Sequence, residues 1–250
     1  MSEARVHVYL AQLGLGSRRE IEDQIRLGRV KVNGKIAKLG QKVDPQQDQL
    51  SYRSRLIPPS KARQNLQLVL LHKPKGVISS LKDPQGRMGV VDLLPRRFSH
   101  LYPVGRLDLQ SEGLILLTND GDLALRLTHP RYEVPKVYEV KLRGNLDPKK
   151  IEHLEKGVRV GNEKWKGVRI LDLKEVTRSG VPKFKLQIEI KEGKNRHIRK
   201  LFEALSCRVI ELKRLKVGPL SLKGIPRGGY KVLSDSQRQR LRRDLGMEEA

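Results

Sequence analysis

The sequence predicts an α+β protein in two parts, a small helix–helix–hairpin module over residues 1–60 and a larger domain over 66–245. Apolar residues recur at helical spacing near the N-terminus, whereas most later segments alternate as strands do. Strands outnumber helices in the larger part and do not alternate strictly with them. A largely antiparallel mixed sheet with packed helices is therefore expected there.

The first helix of the N-terminal module is indicated by an apolar stripe. Val6, Tyr9, Leu10 and Leu13 stand at positions i, i+3, i+4 and i+7, which places them on one helical face. Gly14 follows directly and is typical of a helix end.

A second helix and a hairpin complete the predicted module. Ser17 with Glu20 three residues later forms a capping-box pattern, which predicts a helix start, and Gly28 predicts its end. Asn33-Gly34 between two short alternating runs is the strongest short signal for a hairpin turn. Basic residues crowd the second helix and the first strand: Arg18, Arg19, Arg26, Arg29 and Lys31.

The remaining segments predict the domain boundaries and the larger domain. A polar run with prolines predicts a linker at 61–65, and residues 246–250 are expected to form a disordered tail. Apolar or alternating runs predict strands at 66–71, 77–80, 114–118, 137–142 and 184–190. Helical spacing and capping residues predict helices at 147–154 and 198–205.

Charge points to a polyanionic partner. The chain has 250 residues, with 52 Lys and Arg against 28 Asp and Glu, a formal net charge of +24. Residues 1–60 hold 11 Lys and Arg against 6 Asp and Glu, so +5 of the charge lies there and +19 in the remainder. A membrane partner is not expected, because no apolar run approaches the roughly 18 residues of a spanning helix. No signal peptide is apparent, so a cytoplasmic protein is predicted.

Metal and nucleotide sites are not expected. Cys207 is the single cysteine and lies in an apolar run, which predicts a buried small hydrophobe. The six histidines stand singly, and no glycine-rich phosphate loop occurs. We therefore expect no metal and no cofactor.

Residues 105–113 (GRLDLQSEG) are the strongest candidate for a reactive site. Asp108 stands beside Arg106 in a loop between glycines, and a buried strand follows. Loops on a rigid sheet often carry catalytic groups, although an aspartate in such a loop is more often a turn residue. The residues alone leave both interpretations open.

This segment, continued by an apolar run and Asn119-Asp120-Gly121, resembles the catalytic-aspartate motif of pseudouridine synthases that modify bacterial ribosomal RNA. Residues 73–80, 136–140, 192–200 and 225–230 resemble further motifs of that family. Residues 16–20, 36–40 and 195–196 are similar to the branch acting on large-subunit 23S rRNA. His197 departs from the pattern, because the family often has Glu or Gln there.

The resemblance implies an enzyme that isomerises uridine to pseudouridine at one rRNA stem-loop. It assigns catalysis to Asp108, Tyr138 and Arg199, with Tyr138 stacking on the base and Arg199 pairing with the carboxylate. Asp108 would act as a nucleophile at C1′ or as a base at C2′, and these alternatives stay open. The implied substrate contacts are Arg106, Ile198, Arg196 and Lys73, the last lying in a motif that is either structural or RNA-contacting.

The N-terminal module resembles the S-four-type RNA-binding module, on residues 16–20 and 28–35. The expected partner is structured rRNA, bound through phosphates by the five basic residues named above, and the enzyme is expected to be a monomer. Three alternatives stay open: the same enzyme acting on 16S rRNA, a non-catalytic rRNA-binding assembly factor, and a basic protein that coats nucleic acid.

Overall fold

The structure is a computed structural model that describes residues 3–58, 66–81, 83–177 and 180–247. The predicted linker at 61–65 and the last three residues of the predicted tail lie outside the described residues. The chain divides into two compact units: Met1–Gln67 with Asn119–Gly121, and Leu68–Thr118 with Asp122–Ala250.

Residues 4–57 form two helices and several short strands. In chain order these are β1 (Ala4–Arg5), α1 (Val6–Gln12), α2 (Arg18–Arg26), β2 (Val30–Val32), β3 (Lys35–Ile36), β4 (Lys42–Val43), β5 (Leu50–Tyr52) and β6 (Arg55–Ile57). β1 pairs with β4, and a sheet in the order β3-β2-β5-β6 is antiparallel throughout.

The local signals of the module are confirmed. Ser17 Oγ accepts a hydrogen bond from the Glu20 backbone N–H, and the Glu20 carboxylate accepts one from Ser17, which is a complete capping box. Asn33 and Gly34 both adopt positive φ, at 50° and 80°, as the tight turn between β2 and β3 requires. The predicted helix–helix–hairpin order is therefore present.

The hairpin of β5 and β6 was not predicted. Its two turn residues, Arg53 and Ser54, have φ of 49° and 64°. This is the same left-handed geometry that Asn33-Gly34 adopts, but the residue types give no sign of it. The Arg53 guanidinium lies over the Tyr52 ring, at 5.3 Å from its centroid, and donates to Gln24 Oε1. These contacts hold the turn in place.

The remaining elements build the larger unit. They are β7 (Leu68–Lys73), β8 (Tyr102–Val104), β9 (Glu112–Thr118), α3 (Gly121–Thr128), β10 (Lys136–Arg143), α4 (Pro148–Lys156), β11 (Val158–Val160), β12 (Glu163–Trp165), β13 (Arg169–Glu175), β14 (Lys183–Ile190), α5 (His197–Ala204), β15 (Arg208–Val217), β16 (Leu220–Ser221), β17 (Tyr230–Val232) and α6 (Asp235–Asp244).

Most of these strands join one mixed sheet, in the order β13-β14-β10-β15-β9-β7-β17. β16 adds to β15 and β8 adds to β9, while β11 and β12 form a separate hairpin. Among the described strands, only β15 and β9 run parallel. The predicted α+β fold with a largely antiparallel sheet is thus confirmed.

The central strands are buried on both faces. Val69, Leu71, Ile115 and Leu117 pack into one apolar cluster, which extends to α4 and α5. The alternate residues Leu68, Leu70, Leu114 and Leu116 pack into a second cluster with α3 and α6. This double burial explains why β7 and β9 are continuous apolar runs instead of alternating ones.

The strand predicted at 77–80 is wrong. Only an isolated bridge between Ile78 and Gly89 occurs there. Ser79 instead turns its hydroxyl to Leu107, donating to the backbone carbonyl at 2.9 Å and accepting from the backbone N–H at 3.1 Å. The segment therefore supports the loop before β9 and does not extend the sheet.

The backbones of β9 and β15 approach each other closely at Gly113. A Cβ built there would lie 2.3 Å from the Arg214 carbonyl oxygen and 2.4 Å from its nitrogen, and Gly113 φ is +116°. We expect Gly113→Ala to lower the free energy of unfolding by at least about 3 kcal/mol, because these atoms belong to rigid backbone. Denaturant titration measures this effect.

Gly86→Ala is the matched control, because Gly86 also has positive φ, at +68°, but a Cβ there meets nothing within 4 Å. Its free energy of unfolding should fall only by the cost of the strained backbone conformation, about 1 kcal/mol. Equal losses in the two variants would show that the close strand contact does not matter.

Candidate active site

The candidate site is built around the loop that joins β8 to β9. Gly105, with φ of +72°, opens the loop, and the Ser111 backbone N–H donates to the Asp108 carbonyl at 3.0 Å to close a turn. Leu107 is buried and clamped by Ser79, while the Asp108 side chain keeps 38% of its surface exposed. The loop is therefore anchored on its buried side, whereas its carboxylate is partly exposed to solvent.

Lys73 holds the loop from inside the protein. It is fully buried, and its ammonium group donates to the Ser111 carbonyl at 2.8 Å and to the Pro74 carbonyl at 3.0 Å. Lys73 therefore supports the loop and has no surface for a substrate, which corrects the substrate contact expected of it. Burial lowers the pKa of Lys73 to about 8, although the carboxylates of Asp108 and Glu112 act in the opposite direction.

Arg199 reaches the same loop from the first turn of α5. Its guanidinium donates to the carbonyls of Val209 and Gln110 and to Ser111 Oγ, each at 3.3 Å. Its Nε lies 3.8 Å from Asp108 Oδ2. The arginine thus joins the loop to β15 and places a positive charge beside the carboxylate.

The ion pair is electrostatically modest. The Arg199 side chain is 14% exposed against 38% for Asp108, so water screens the carboxylate more than the guanidinium. Such a partly exposed pair contributes about 1 kcal/mol or less to stability. Burial lowers the pKa of Arg199, and Asp108 opposes that shift. The pair is better suited to orienting Asp108 than to holding the fold together.

A cavity of about 430 Å³ opens beside Asp108. Five residues predicted for the site line it: Arg106, Asp108, Tyr138, Arg196 and Ile198. Arg199 lies behind the loop and is not part of the lining. Arg106 and Arg196 are exposed, whereas Ile198 and Tyr138 are buried.

Two basic residues on the sheet strands that line this cavity escaped the sequence analysis. Lys136 lies two residues before Tyr138 on β10 and so shares its face of the sheet. Arg214 of β15 stands opposite Tyr138 in the strand register, and only 5% of its surface is exposed. Its Nη1 lies 3.5 Å from the Tyr138 hydroxyl. β15 carries charges on many positions, so no pattern in the sequence singled out Arg214.

A larger cavity of about 600 Å³ lies elsewhere, between the β11–β12 hairpin and α5. Its lining includes Trp165, Lys200 and Glu203 and none of the predicted site residues. The Trp165 ring packs against the His197 ring at a tilt of 54° and lies beneath the ammonium groups of Lys194 and Lys200. We place the reactive site at the smaller cavity, because a carboxylate, an aromatic ring and several cations converge there.

Two classes of feature are absent from the part of the chain that the structure describes. No three His, Cys, Asp or Glu side chains among those residues group closely enough to hold a metal ion. No helix among them is both long and apolar enough to span a bilayer.

Comparison with known families places the chain. The model of the RNA pseudouridylate synthase family matches residues 67–204, which include Asp108, Tyr138 and Arg199. The chain belongs to this family. The S4 domain model matches residues 4–50, within the N-terminal module.

Named relatives of this pseudouridine synthase span almost its whole length. Ribosomal large subunit pseudouridine synthase B of Bacillus subtilis is 37% identical over 241 residues, which cover 95% of each chain. The Yersinia pestis enzyme of the same name is 39% identical and covers 90% of this chain and 70% of its own. A crystal structure of a pseudouridylate synthase superposes with a TM-score of 0.64 at 26% identity, covering 95% of this chain and 99% of the other.

Proposed function

We propose that this pseudouridine synthase isomerises a single uridine of large-subunit ribosomal RNA, with Asp108 as its catalytic carboxylate. The observation that carries the proposal is the position of Asp108, at the mouth of a cavity and beside the Arg199 guanidinium. The proposed substrate is inferred from the two relatives, both of which are named ribosomal large subunit pseudouridine synthase B.

The reaction detaches the base at its C1′–N1 bond, turns it and joins it again through C5. The uridine must first leave its stack, which costs a few kcal/mol. Tyr138 offers an aromatic face in the cavity, and base–aromatic stacking returns about 1–3 kcal/mol. Ile198 adds an apolar surface, and Arg106 and Arg196 lie exposed at the rim for the flanking phosphates.

Asp108 then reacts in its charged form. It attacks C1′ as a nucleophile or removes the C2′ proton as a base. Arg199 favours the ionised carboxylate and fixes its direction through the loop contacts. The residues named here carry out the isomerisation without a cofactor or metal, and we expect neither to be required.

The N-terminal module is proposed as a phosphate-binding surface. Its five predicted contacts are all exposed: Arg18, Arg19, Arg26, Arg29 and Lys31. Arg26 pairs with Asp23 at 2.6 Å and Arg29 donates to Gln24 Oε1, so both are partly engaged within the module. Arg18 and Arg19, at the start of α2, are therefore the strongest contacts to test.

Replacing Arg18 and Arg19 together with alanine should weaken rRNA binding and flatten its salt dependence. Removing one phosphate contact reduces the log–log salt slope by about 0.7–0.9. KM should rise more than kcat falls, because these contacts exist before and during the reaction. Filter binding at several salt concentrations measures the slope.

The matched control replaces Lys38 and Arg55, which are exposed in the same module but outside the basic cluster. It removes the same charge and should change the slope less. If both double variants bind alike, general charge alone attracts the RNA and the cluster has no special role.

Incubating the full chain with C5-tritiated 23S rRNA tests the proposed activity. We expect stoichiometric tritium release at one uridine without added metal. We also expect the enzyme to be monomeric and cytoplasmic. Release from 16S rRNA alone would move the substrate to the small subunit. Tight binding without release from either RNA would leave only a non-catalytic assembly factor.

A further inference from the structure

Two cationic side chains on the inner wall of the active-site cavity have hydrogen-bond donors without partners in the part of the chain that the structure describes. Arg214 Nε donates to the Leu114 carbonyl at 2.7 Å, but Arg214 Nη2 is buried and has no hydrogen-bond partner among the described residues. The ammonium group of Lys136, which lines the same cavity, also has no hydrogen-bond or ion-pair partner within that part of the chain.

No carboxylate of the cavity compensates these two charges. Asp108 pairs with Arg199, and Glu192, which lies 3.6 Å from the His197 ring, forms no ion pair with either cation. Burying a charge without a partner is strongly unfavourable, so such groups point to a missing anion. Burial and the neighbouring Arg214 lower the pKa of Lys136 to about 8, which still leaves it mostly protonated at pH 7.

The anion could come from a backbone phosphate or from the base itself. Arg214 is 5% exposed and adjoins the hydroxyl of Tyr138, the residue proposed to stack on the base. A phosphodiester carries a ribose on each side and would have to bring the RNA chain to that depth. A flipped base can reach Arg214 while the RNA backbone stays outside the cavity, so the geometry favours the base.

We propose that Arg214 and Lys136 together bind the negative charge that the uracil ring acquires when its bond to ribose breaks. This inference rests on the proposed function. It assigns the two residues to direct contact with the reacting base.

The charge arises in one step of the isomerisation. When the C1′–N1 bond breaks, its electron pair stays on N1 and spreads to the ring carbonyl oxygens. In the nucleophilic route an Asp108 oxygen bonds to C1′, and in the alternative route Asp108 removes the C2′ proton. Later C5 bonds to C1′ while the Asp108–C1′ bond breaks, or while Asp108 returns the proton to C2′. C5 then loses its proton to a base and N1 gains a proton, which leaves a neutral ring. Because substrate and product are neutral, the two cations favour the intermediate and the transition states beside it.

A leaving-group experiment tests this role. Fluorine at C5 withdraws electrons and stabilises the uracil anion, so 5-fluorouridine depends less on the protein for that purpose. Lys136→Met and Arg214→Gln are compared with the unmodified protein under single-turnover conditions. One 23S rRNA transcript contains uridine and the other 5-fluorouridine, and nucleosides are separated after digestion.

We expect each variant to lose about 10²-fold in rate on the uridine transcript, as for removal of one donor to a developing anion. The loss should be at least about tenfold smaller on the fluorinated transcript. Effects of fluorine on RNA folding cancel, because unmodified protein and variants are compared on the same RNA. Lys141→Met is the control, since Lys141 is on the same strand but pairs with Glu211 at 2.7 Å.

Equal losses on both transcripts would overturn the inference, because a phosphate contact or a purely structural role makes no distinction between the two bases. Undiminished rates would overturn it too. If Arg214→Gln fails to fold, the ratio for Lys136→Met decides. An unmodified protein that does not react with the uridine transcript would instead remove the proposed function, and this inference with it.

Discussion

Asp108→Asn should release no tritium from C5-labelled uridine in 23S rRNA. The substitution keeps the shape of the side chain and removes the charge that attacks C1′ or accepts the C2′ proton. Because the Asp108 side chain is 38% exposed and pairs only weakly with Arg199, the variant should fold and bind rRNA within a few-fold of the unmodified protein. Single-turnover tritium release and filter binding measure the two effects.

Asp172→Asn is the matched control for this substitution. Asp172 is 45% exposed and lies 3.7 Å from a lysine ammonium, so the environment of its carboxylate is similar, but it is not part of the cavity lining. It should react at the unmodified rate. Residual turnover near that rate in Asp108→Asn would remove Asp108 from catalysis.

Arg199→Lys should lower kcat by about 10²-fold while leaving rRNA binding nearly unchanged. Lysine keeps the charge but loses the planar fork that contacts Val209, Gln110 and Ser111 together. Without those contacts the loop shifts, and a displacement of about 1 Å at reacting atoms is enough for such a loss. Arg199→Met removes the charge as well and should be slower still.

The control is Arg169→Lys, because Arg169 also pairs with a carboxylate at 3.8 Å but lies outside the cavity. Thermal unfolding of each variant separates a local loop shift from loss of the fold. Full activity in Arg199→Lys would mean that charge alone suffices and that the contacts with the loop are incidental.

Elements with strong local signals were predictable from the sequence. The capping box of α2 and the Asn33-Gly34 turn depend on residues close together in the chain, so the sequence contains the whole interaction. The buried run of β9 is long and apolar, and its continuity reflects burial on both faces of the sheet. In each case local propensity and tertiary packing favour the same structure.

Features that depend on distant partners were not predictable. β15 carries charged residues on many positions, and only its pairing with β10 and β9 makes it a central strand. That pairing buries Arg214 against Tyr138. The sequence predicts that Lys73 is an exposed cation. It can be buried because the carbonyls of Pro74 and Ser111 accept hydrogen bonds from its ammonium group.

The candidate site divides in the same way. Asp108 could be singled out because its loop is a long, specific motif, and Arg199 because its segment resembles another motif of the family. Their contact, at 3.8 Å, depends on how α5 packs against the loop before β9. Lys136 and Arg214 required the register of two strands, which no single segment of the sequence contains.

The central claim is that this chain makes pseudouridine at one position of large-subunit rRNA through Asp108. Mapping pseudouridines in rRNA from cells with and without the protein tests it most directly. We predict that one large-subunit stem-loop position loses its pseudouridine in the deletion strain, regains it with the unmodified gene and does not regain it with Asp108→Asn. Identical maps with and without the protein, or restoration by Asp108→Asn, would contradict the account.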